Sequence, residues 1–149
     1  MVKAEQELAI VERQLRRRGC RWTTQRSRIV HEALSTHEHF TAEELLARCR
    51  DVDPRVSRAT VYRTLAVLEE IGVVEGLETG DGGRRFEHVI GHRHHDHMVC
   101  ERCGAIFEFR DPQIEARQAA AAKRIGFAIA RHSLRIYGTC RACGAEATA

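Results

Sequence analysis

Apolar residues recur at helical spacing through the first half of the chain and predict four helices. Residues 3–18 place Leu8, Val11 and Leu15 on one side, with Gly19 just past the end. "TAEE" at residues 41–44 is a capping box and Ser57 is a favoured N-cap, so each opens a further helix. The three later helices are predicted at residues 24–35, 41–49 and 57–72. Their inward positions include Ile29, Val30, Ala33, Leu34, Val61, Leu65 and Leu68.

The pattern changes after Gly72. "VVEGLE" and "RRFEHV" resemble short strands, and the glycine-rich "TGDGG" between them is typical of a hairpin connection. Helices followed by such a hairpin are typical of a winged helix-turn-helix, in which the fourth helix enters the major groove of DNA. Arg58 and Tyr62 stand one turn apart on that helix and could reach the groove together. The alternative is structural, with Tyr62 half-buried in the core and the arginines solvated.

The second half predicts a separate α/β domain. Strands "HDHMVC" and "AIFEFR" flank "CERCG", and Asp111–Pro112 then opens a helix running to about Ile125. A last strand, "FAIARHSLRIYGTC" (residues 127–140), leads into "CRACG". We therefore predict an α+β chain with a winged helix-turn-helix domain at residues 1–90 and a small α/β domain at residues 91–149.

Charge is informative through its distribution. The net charge is only +3, and residues 1–90 hold as many acids as bases. Seven arginines and no acid, however, lie between Arg13 and Arg28, and Arg55, Arg58 and Arg63 form a second acid-free cluster. These clusters indicate a surface for phosphates, or else a solvated basic helix face.

Targeting signals are not evident in the sequence. The first residues show no apolar run typical of a signal peptide, and no segment approaches the roughly 20 apolar residues that cross a bilayer. We expect a cytoplasmic protein without a membrane partner. In that compartment paired cysteines more often bind metal than form disulfides.

Two CxxCG motifs predict one metal site. Four thiolates suit tetrahedral zinc in a closed structural site, and redox or disulfide pairs are the alternative. The four ligands are Cys100, Cys103, Cys140 and Cys143. Cys20 and Cys49 lack partner spacing and are expected to be small apolar fillers.

The run "HRHHDHMVC" (residues 92–100) predicts two more metal half-sites. On a strand, His95 and His97 share one face, and His94 and Asp96 share the other. Nitrogen and carboxylate donors suit Fe²⁺, Mn²⁺ or Zn²⁺. Candidate donors from elsewhere are His39, Glu87, Glu108, Glu115 and His132. The alternative is a solvated histidine-rich turn.

A hydrolase is the remote alternative. His92, His94, Asp96 and His97 satisfy H-x-H-x-D-H, the motif of metallo-β-lactamase-like hydrolases, in which a metal activates water. That fold usually needs a longer chain, and it would leave the helix-wing pattern and the four cysteines unexplained. We therefore expect no enzymatic activity.

Taken together, "SRATVYRTLAVLEEIGVV", "HHDHMVCERCG" and "CRACG" resemble the ferric uptake regulator (Fur) family of metal-sensing repressors, over residues 15–144. The resemblance implies an N-terminal winged-helix DNA-binding domain, a C-terminal α/β dimerisation domain and a homodimer on a double-stranded DNA operator. It implies no small organic substrate. The four cysteines would hold structural Zn²⁺.

The resemblance also implies ligand sets and DNA contacts. The regulatory site would be His39, Glu87, His95, His97 and Glu108, although His88 follows Glu87 and either could reach the ion. The additional site would be His94, Asp96, Glu115 and His132. Arg21 would enter the minor groove, and Tyr62 and Arg63 would contact bases.

These regulatory ligands come from both sides of a hinge near Gly91, so one ion would fix one domain against the other. Occupancy would then favour one orientation of the recognition helices on an inverted-repeat operator. Fe²⁺ or Mn²⁺ is the expected effector, with Zn²⁺ able to bind in vitro. Glutamate at 87 and 108, where peroxide sensors tend to carry aspartate, favours iron-dependent repression of metal-uptake genes. Peroxide sensing through oxidation of His39 or His95, or manganese or zinc sensing, is the alternative.

Overall fold

Four helices occupy the first part of the chain in the computed structural model, which describes residues 2–36, 38–80, 82–91 and 94–146. Their bounds are Val2–Arg17 (α1), Thr24–Ser35 (α2), Ala42–Val52 (α3) and Arg58–Glu70 (α4). Side chains of Thr23, Thr41 and Ser57 cap α2, α3 and α4, and Glu44 completes the predicted capping box on α3. None of the described helices has the length and apolar content that a bilayer span requires.

The third helix runs three residues further than predicted. It ends where Asp53 turns extended (φ −134°, ψ 96°), because the following Pro54 disfavours helical backbone in the residue before it. The predicted end at Cys49 was therefore wrong, and Asp51 and Val52 belong to the helix.

The apolar stripes of these helices meet in one core. Val11 and Leu15 of α1 pack with the predicted inward residues of α2 and α4, all of them buried, while Leu8 is partly buried at the edge. Phe40, Leu45 and Val56 complete the centre of this cluster, and none of the three is exposed. The core fixes α4 so that its opposite face lies at the surface.

A two-stranded hairpin follows the helices, as predicted. Strands β1 (Val74–Glu78) and β2 (Arg84–His88) pair antiparallel with Gly76 opposite Phe86. Phe40 adds a β-bridge on the other edge of β2, donating to and accepting from Phe86 at 2.9 and 2.7 Å. This bridge sets His39 and Glu87, the neighbours of Phe40 and Phe86, opposite each other.

The chain divides into two units, Met1–Glu78 with Gly82–Arg93 and Thr79–Asp81 with His94–Ala149. The division lies three residues beyond the predicted boundary at 90/91. In the second unit β3 (Asp96–Cys100) is central, antiparallel to β4 (Ile106–Phe109) and parallel to β5 (Arg135–Gly138). Helix α5 spans Pro112–Arg124 with Asp111 as its N-cap, and α6 spans Arg141–Glu146.

The predicted strand over residues 127–140 was wrong in length. Only Arg135–Gly138 forms a strand, because the five residues of β3 provide partners just from His97↔Arg135 to Cys100↔Gly138. Phe127 and Ile129 are exposed instead of paired. The sequence reading also missed α6, which begins directly after Cys140.

Candidate metal centres and nucleic-acid interface

The four cysteines of the CxxCG motifs lie together. Each offers a sulfur, and all four sulfurs are within 4.8 Å of one another. All six described cysteines are free thiols. The Sγ atoms of Cys103 and Cys140 are 3.8 Å apart, and a Zn–S distance of about 2.3 Å places the corners of a tetrahedron about 3.8 Å apart. The group therefore has the dimensions of a tetrahedral zinc site.

Strand pairing brings the two motifs to the same edge of the sheet. Because β3 and β5 are parallel, Cys100 stands beside Gly138, and the chain continues from each into a CxxCG motif. The first motif turns through Gly104, whose φ of 69° suits glycine and whose N–H donates to the Cys100 carbonyl at 2.9 Å. Arg102 Nη1 donates to the Cys143 carbonyl at 2.6 Å and ties the motifs together.

Hydrogen bonds shift the pKa values of two of these thiols in opposite directions. The backbone N–H of Cys140 donates to Cys100 Sγ at 3.3 Å and, with other backbone donors, lowers the pKa of Cys100 to about 6. Hydrogen bonds with the neighbouring thiols raise the pKa of Cys143 to about 12. Four sulfurs this close can all become thiolates only when a cation neutralises them, so the donor set fits a metal ion.

In the first unit, His39 lies against Glu87. Pairing of Phe40 with Phe86 sets residues 39 and 87 opposite one another, and His39 Nε2 is 3.4 Å from Glu87 Oε2. Glu87 is buried. His88 is the next residue on β2, so its side chain leaves the strand on the face opposite to that of Glu87. Of the two residues, Glu87 is the one beside His39.

In the second unit, two histidines and one carboxylate form another group. His97 on β3 pairs directly with Glu108 on β4, and only 1% of its surface is exposed. His95 Nε2 is 3.8 Å from Glu108 Oε2, and the rings of His95 and His97 are 4.9 Å apart. The structure thus brings together the two histidines that the strand period assigned to one face.

His94 and Asp96, which the strand period assigned to the other face, form a third group of possible metal ligands with His132. His94 Nε2 is 3.1 Å from Asp96 Oδ1, and the rings of His94 and His132 are 4.0 Å apart. One donor atom from each of these three residues lies within 4.8 Å of the other two. Glu115, predicted as the fourth ligand, is not in this cluster and has its Oε1 3.5 Å from Arg110 Nε. His92 lies outside the described residues.

The outer face of α4 carries the predicted DNA contacts. Arg58, Tyr62 and Arg63 are exposed, opposite the buried Val61 and Leu65. Tyr62 is 49% exposed, as a half-buried tyrosine would be, and it lies outside the apolar core cluster of the described residues. Arg58 and Tyr62 are one turn apart, as predicted, and both bind Glu43 of α3.

A basic cleft adjoins this face. It has a volume of about 750 Å³ and brings together Arg21 of the α1–α2 connection with Arg63 of α4. Beside one acid, Asp53, its described lining also includes Arg26, Arg55, Gln25, Thr23, Thr24 and Thr60. Side chains of this chemistry can donate to phosphate oxygens. Two residues 42 positions apart in sequence, predicted to contact different grooves, therefore share one surface.

In the folded structure, ion pairs with acidic residues neutralise several arginines of the two clusters. Three glutamates from outside the first cluster, Glu12, Glu70 and Glu32, form ion pairs with Arg16, Arg18 and Arg28 at 2.7, 3.0 and 3.3 Å. Glu43 and Asp53 likewise pair with Arg58 and Arg55 at 2.9 Å each. Arg21 and Arg63, which both line the cleft, have no such ion pair among the described residues, so their positive charge is not neutralised there.

Apolar side chains are exposed on the sheet of the second unit. Met98 pairs with Phe107 on one side and with Ile136 on the other, so the three form a row on one face. They are exposed by 43, 51 and 41%. Among the described residues of this unit, the buried apolar side chains are only Val99 and Cys100.

Comparison with known proteins decides the family. The model of the "Ferric uptake regulator family" matches residues 17–137. The chain belongs to the ferric uptake regulator family. It is therefore a metal-responsive transcription regulator and not an enzyme, with the α+β architecture of a winged-helix domain followed by a small dimerisation domain. The remote hydrolase reading of the histidine run is excluded by this membership.

Individual Fur-family relatives cover nearly the whole chain. The ferric uptake regulation protein of Campylobacter jejuni is 39% identical over 87% of this chain and 83% of its own. The peroxide-responsive repressor PerR of Staphylococcus epidermidis is 36% identical over 89% of this chain and 87% of its own. The solved ferric uptake regulator of Helicobacter pylori, described as having three functional metal-binding sites, matches with a TM-score of 0.78 and 32% identity, covering 95% and 93% of the two chains.

Proposed function

We propose that this protein is an Fe²⁺-dependent repressor of metal-uptake genes that binds an inverted-repeat operator as a homodimer. One observation carries the proposal: each unit holds a partial set of nitrogen and oxygen donors. His95, His97 and Glu108 in the second unit are two histidines and a carboxylate, the set that holds Fe²⁺ with positions left open. His39 and Glu87 in the first unit offer the ligands that would fill those positions.

A filled coordination shell favours sensing over chemistry. Iron enzymes of this ligand type keep positions open for their reactants, whereas five protein ligands leave little room. An ion held by all five would tie the two units to one relative orientation. Its effect is then a population shift, and moving an equilibrium from about 1:99 to 99:1 requires roughly 10⁴-fold tighter binding to the favoured form.

Two further ions complete the proposal. The sulfur group of Cys100, Cys103, Cys140 and Cys143 would hold structural Zn²⁺, supported by the 3.8 Å sulfur–sulfur distance. His94, Asp96 and His132 would hold an additional ion, with Glu115 reaching it only after leaving Arg110. The three sites described for the H. pylori regulator support a set of three here.

Self-association of the second unit follows from its composition. This unit has fewer than sixty residues, and in its described part only two apolar side chains are buried; domains this small are marginally stable and are often stabilised by a metal or a partner subunit. The exposed row of Met98, Phe107 and Ile136 provides apolar surface for a second copy. A two-fold dimer presents two recognition helices, which is why we expect an inverted repeat in double-stranded DNA.

Iron is favoured over other signals by the carboxylates. Glu87 and Glu108 are the acids of the proposed regulatory site, and it contains no cysteine of the kind that favours zinc. Mn²⁺ would bind the same donors. Peroxide sensing is the second candidate because PerR proteins are also close relatives. Mass spectrometry of the Fe²⁺-loaded protein after peroxide treatment separates the two, since a sensor would gain an oxygen atom on His39 or His95.

The proposal is tested by metal-dependent DNA binding. A duplex is first selected from a random pool with Mn²⁺-loaded protein, and its affinity is then measured anaerobically by fluorescence anisotropy with Fe²⁺, Mn²⁺ or a chelator. We expect Fe²⁺ or Mn²⁺ to tighten binding to the selected duplex by at least about 100-fold, the scale of a coupling energy near 3 kcal/mol. Equal affinity with chelator and with metal would contradict the proposal.

A further inference from the structure

An acidic side chain lies on the face of α4 that would read DNA. Glu43, in the first turn of α3, accepts hydrogen bonds from two residues of α4. The Tyr62 hydroxyl donates to Oε1 at 3.1 Å, and Arg58 Nη2 donates to Oε2 at 2.9 Å. Each carboxylate oxygen therefore has its own partner, and we call these three residues the Glu43 cluster.

Helix capping does not account for Glu43. The neighbouring Glu44 forms the capping box, accepting from the Thr41 N–H at 2.6 Å while its own N–H donates to the Thr41 hydroxyl. Its ion pair adds little stability, because the side chains of Glu43 and Arg58 are 47 and 68% exposed, and an acid in the first turn of a helix adds only a fraction of a kcal/mol to about 1 kcal/mol.

A carboxylate is also an unfavourable neighbour for DNA. It repels the phosphates, and on base edges it can only accept from the amino groups of cytosine or adenine. Its presence among Arg58, Tyr62 and Arg63 lowers the attraction of this face for any duplex. A gain in discrimination between duplexes would offset this cost.

We propose that Glu43 is a positioning residue that sets the DNA specificity of this regulator. It holds Arg58 and Tyr62 in one arrangement before DNA arrives, so less side-chain freedom is lost on forming base contacts. It also occupies the Arg58 guanidinium, which otherwise binds the phosphates of every sequence alike. The inference rests on the proposed reading of DNA by α4 and adds the residue that separates specific from non-specific binding.

Glu43→Gln tests the proposal, with Glu70→Gln as the matched control. Both substitutions remove one negative charge and one exposed ion pair, but Glu70 pairs with Arg18 at 3.0 Å and touches neither Arg58 nor Tyr62 in the described contacts. Anisotropy titrations use Mn²⁺-loaded protein with the selected duplex and a scrambled duplex over a range of salt concentrations.

For Glu43→Gln we expect binding to the scrambled duplex to be tighter by roughly fivefold near 0.1 M salt. Because Arg58 is then free to bind a phosphate, the plot of log association constant against log salt concentration should be steeper by about 0.9. The ratio of selected to scrambled affinity should fall at least about tenfold, the size of one lost base contact. Glu70→Gln should leave that ratio unchanged, because a charge distant from the reading residues acts on both duplexes equally.

A second readout reports the cluster without DNA. The hydrogen bond to Glu43 raises the pKa of Tyr62. The chain has two tyrosines, so Tyr137→Phe leaves Tyr62 as the sole contributor to tyrosinate absorbance. In that background Glu43→Gln should lower the pKa of Tyr62 toward its ordinary value, and Glu70→Gln should not.

The outcomes are distinct. An unchanged affinity ratio in Glu43→Gln, or an equal fall in Glu70→Gln, overturns the inference. So does a changed preference at a single base pair with unchanged affinity for scrambled DNA, because Glu43 would then contact a base directly. Failure of the wild-type protein to prefer the selected duplex at all would contradict the proposed function itself, and this inference with it.

Discussion

His39 Nε2 lies 3.4 Å from Glu87 Oε2, although 48 positions separate the two residues in sequence. The pairing of Phe40 with Phe86 produces this proximity, since neighbours of a bridged pair in antiparallel chains face each other. The core of the winged helix, which includes both phenylalanines, therefore also builds half of the proposed regulatory site.

Removing a regulatory ligand should abolish the metal response and leave the fold intact. His97→Ala should reduce the Fe²⁺-induced gain in operator affinity to below about threefold, because the remaining donors no longer complete the site. Zinc content and dimer mass should be unchanged, and His31→Ala, exposed and outside every metal group, serves as the control. Anaerobic anisotropy with the selected duplex measures the effect. A full metal response in His97→Ala would exclude His97 from the site.

Removing a cysteine ligand should instead unfold the second unit. Cys100→Ser is expected to lose the zinc and with it the free energy that binding contributes to folding, which reaches about 10 kcal/mol or more in small zinc domains. Elemental analysis and thermal unfolding measure both effects, with Cys20→Ser as the control because Cys20 lies outside the sulfur group. A Cys100→Ser protein of normal zinc content and stability would contradict the assignment.

The exposed apolar row predicts where two copies meet. Phe107→Glu places a charge directly beside Met98 in this row, and burying that charge should weaken the dimer at least about 30-fold, or roughly 2 kcal/mol. Ile10→Glu, of similar exposure (45%) on α1, should have no effect. Sedimentation equilibrium gives the dissociation constants. A dimer of unchanged strength in Phe107→Glu would place the interface elsewhere.

The basic cleft predicts a contact that depends on base sequence. Arg63→Gln should weaken binding to the selected duplex by about 1–3 kcal/mol and relax the preference at one position. Arg124→Gln at the end of α5 removes the same charge from the second unit and should change affinity far less. Repeating the DNA selection with each variant shows whether preference at any base pair has been lost.

Sequence patterns predicted the elements whose signals are local. Side-chain caps at Thr41 and Ser57, the stripe of Val61, Leu65 and Leu68, and the glycine-rich hairpin each act within a few residues, and each was confirmed. Apolar content alone did not predict strand length. Residues 127–133 are rich in apolar side chains yet pair with no residue of β3, so they form no strand.

Local sequence patterns did not predict contacts between residues that are distant in sequence. The arginine clusters appeared free of acids, but Glu70 and Glu43 reach Arg18 and Arg58 across the fold. Likewise, Glu115 has the right chemistry for a fourth ligand. It lies in the first turn of α5, however, and its carboxylate is beside Arg110. The regulatory ligands were named through family resemblance, and their shared ion remains a prediction.

The central claim is that donors from both units bind one ion, and pulsed electron paramagnetic resonance of Mn²⁺ tests it most directly. The experiment uses protein that is labelled with ¹⁵N-histidine and carries His132→Ala, which removes the additional site. Less than one equivalent of Mn²⁺ is added to it. We predict that His39→Ala and His97→Ala each remove a nitrogen coupling from the same Mn²⁺ signal. A signal that loses a coupling in His97→Ala but is identical to the parent in His39→Ala would contradict the claim.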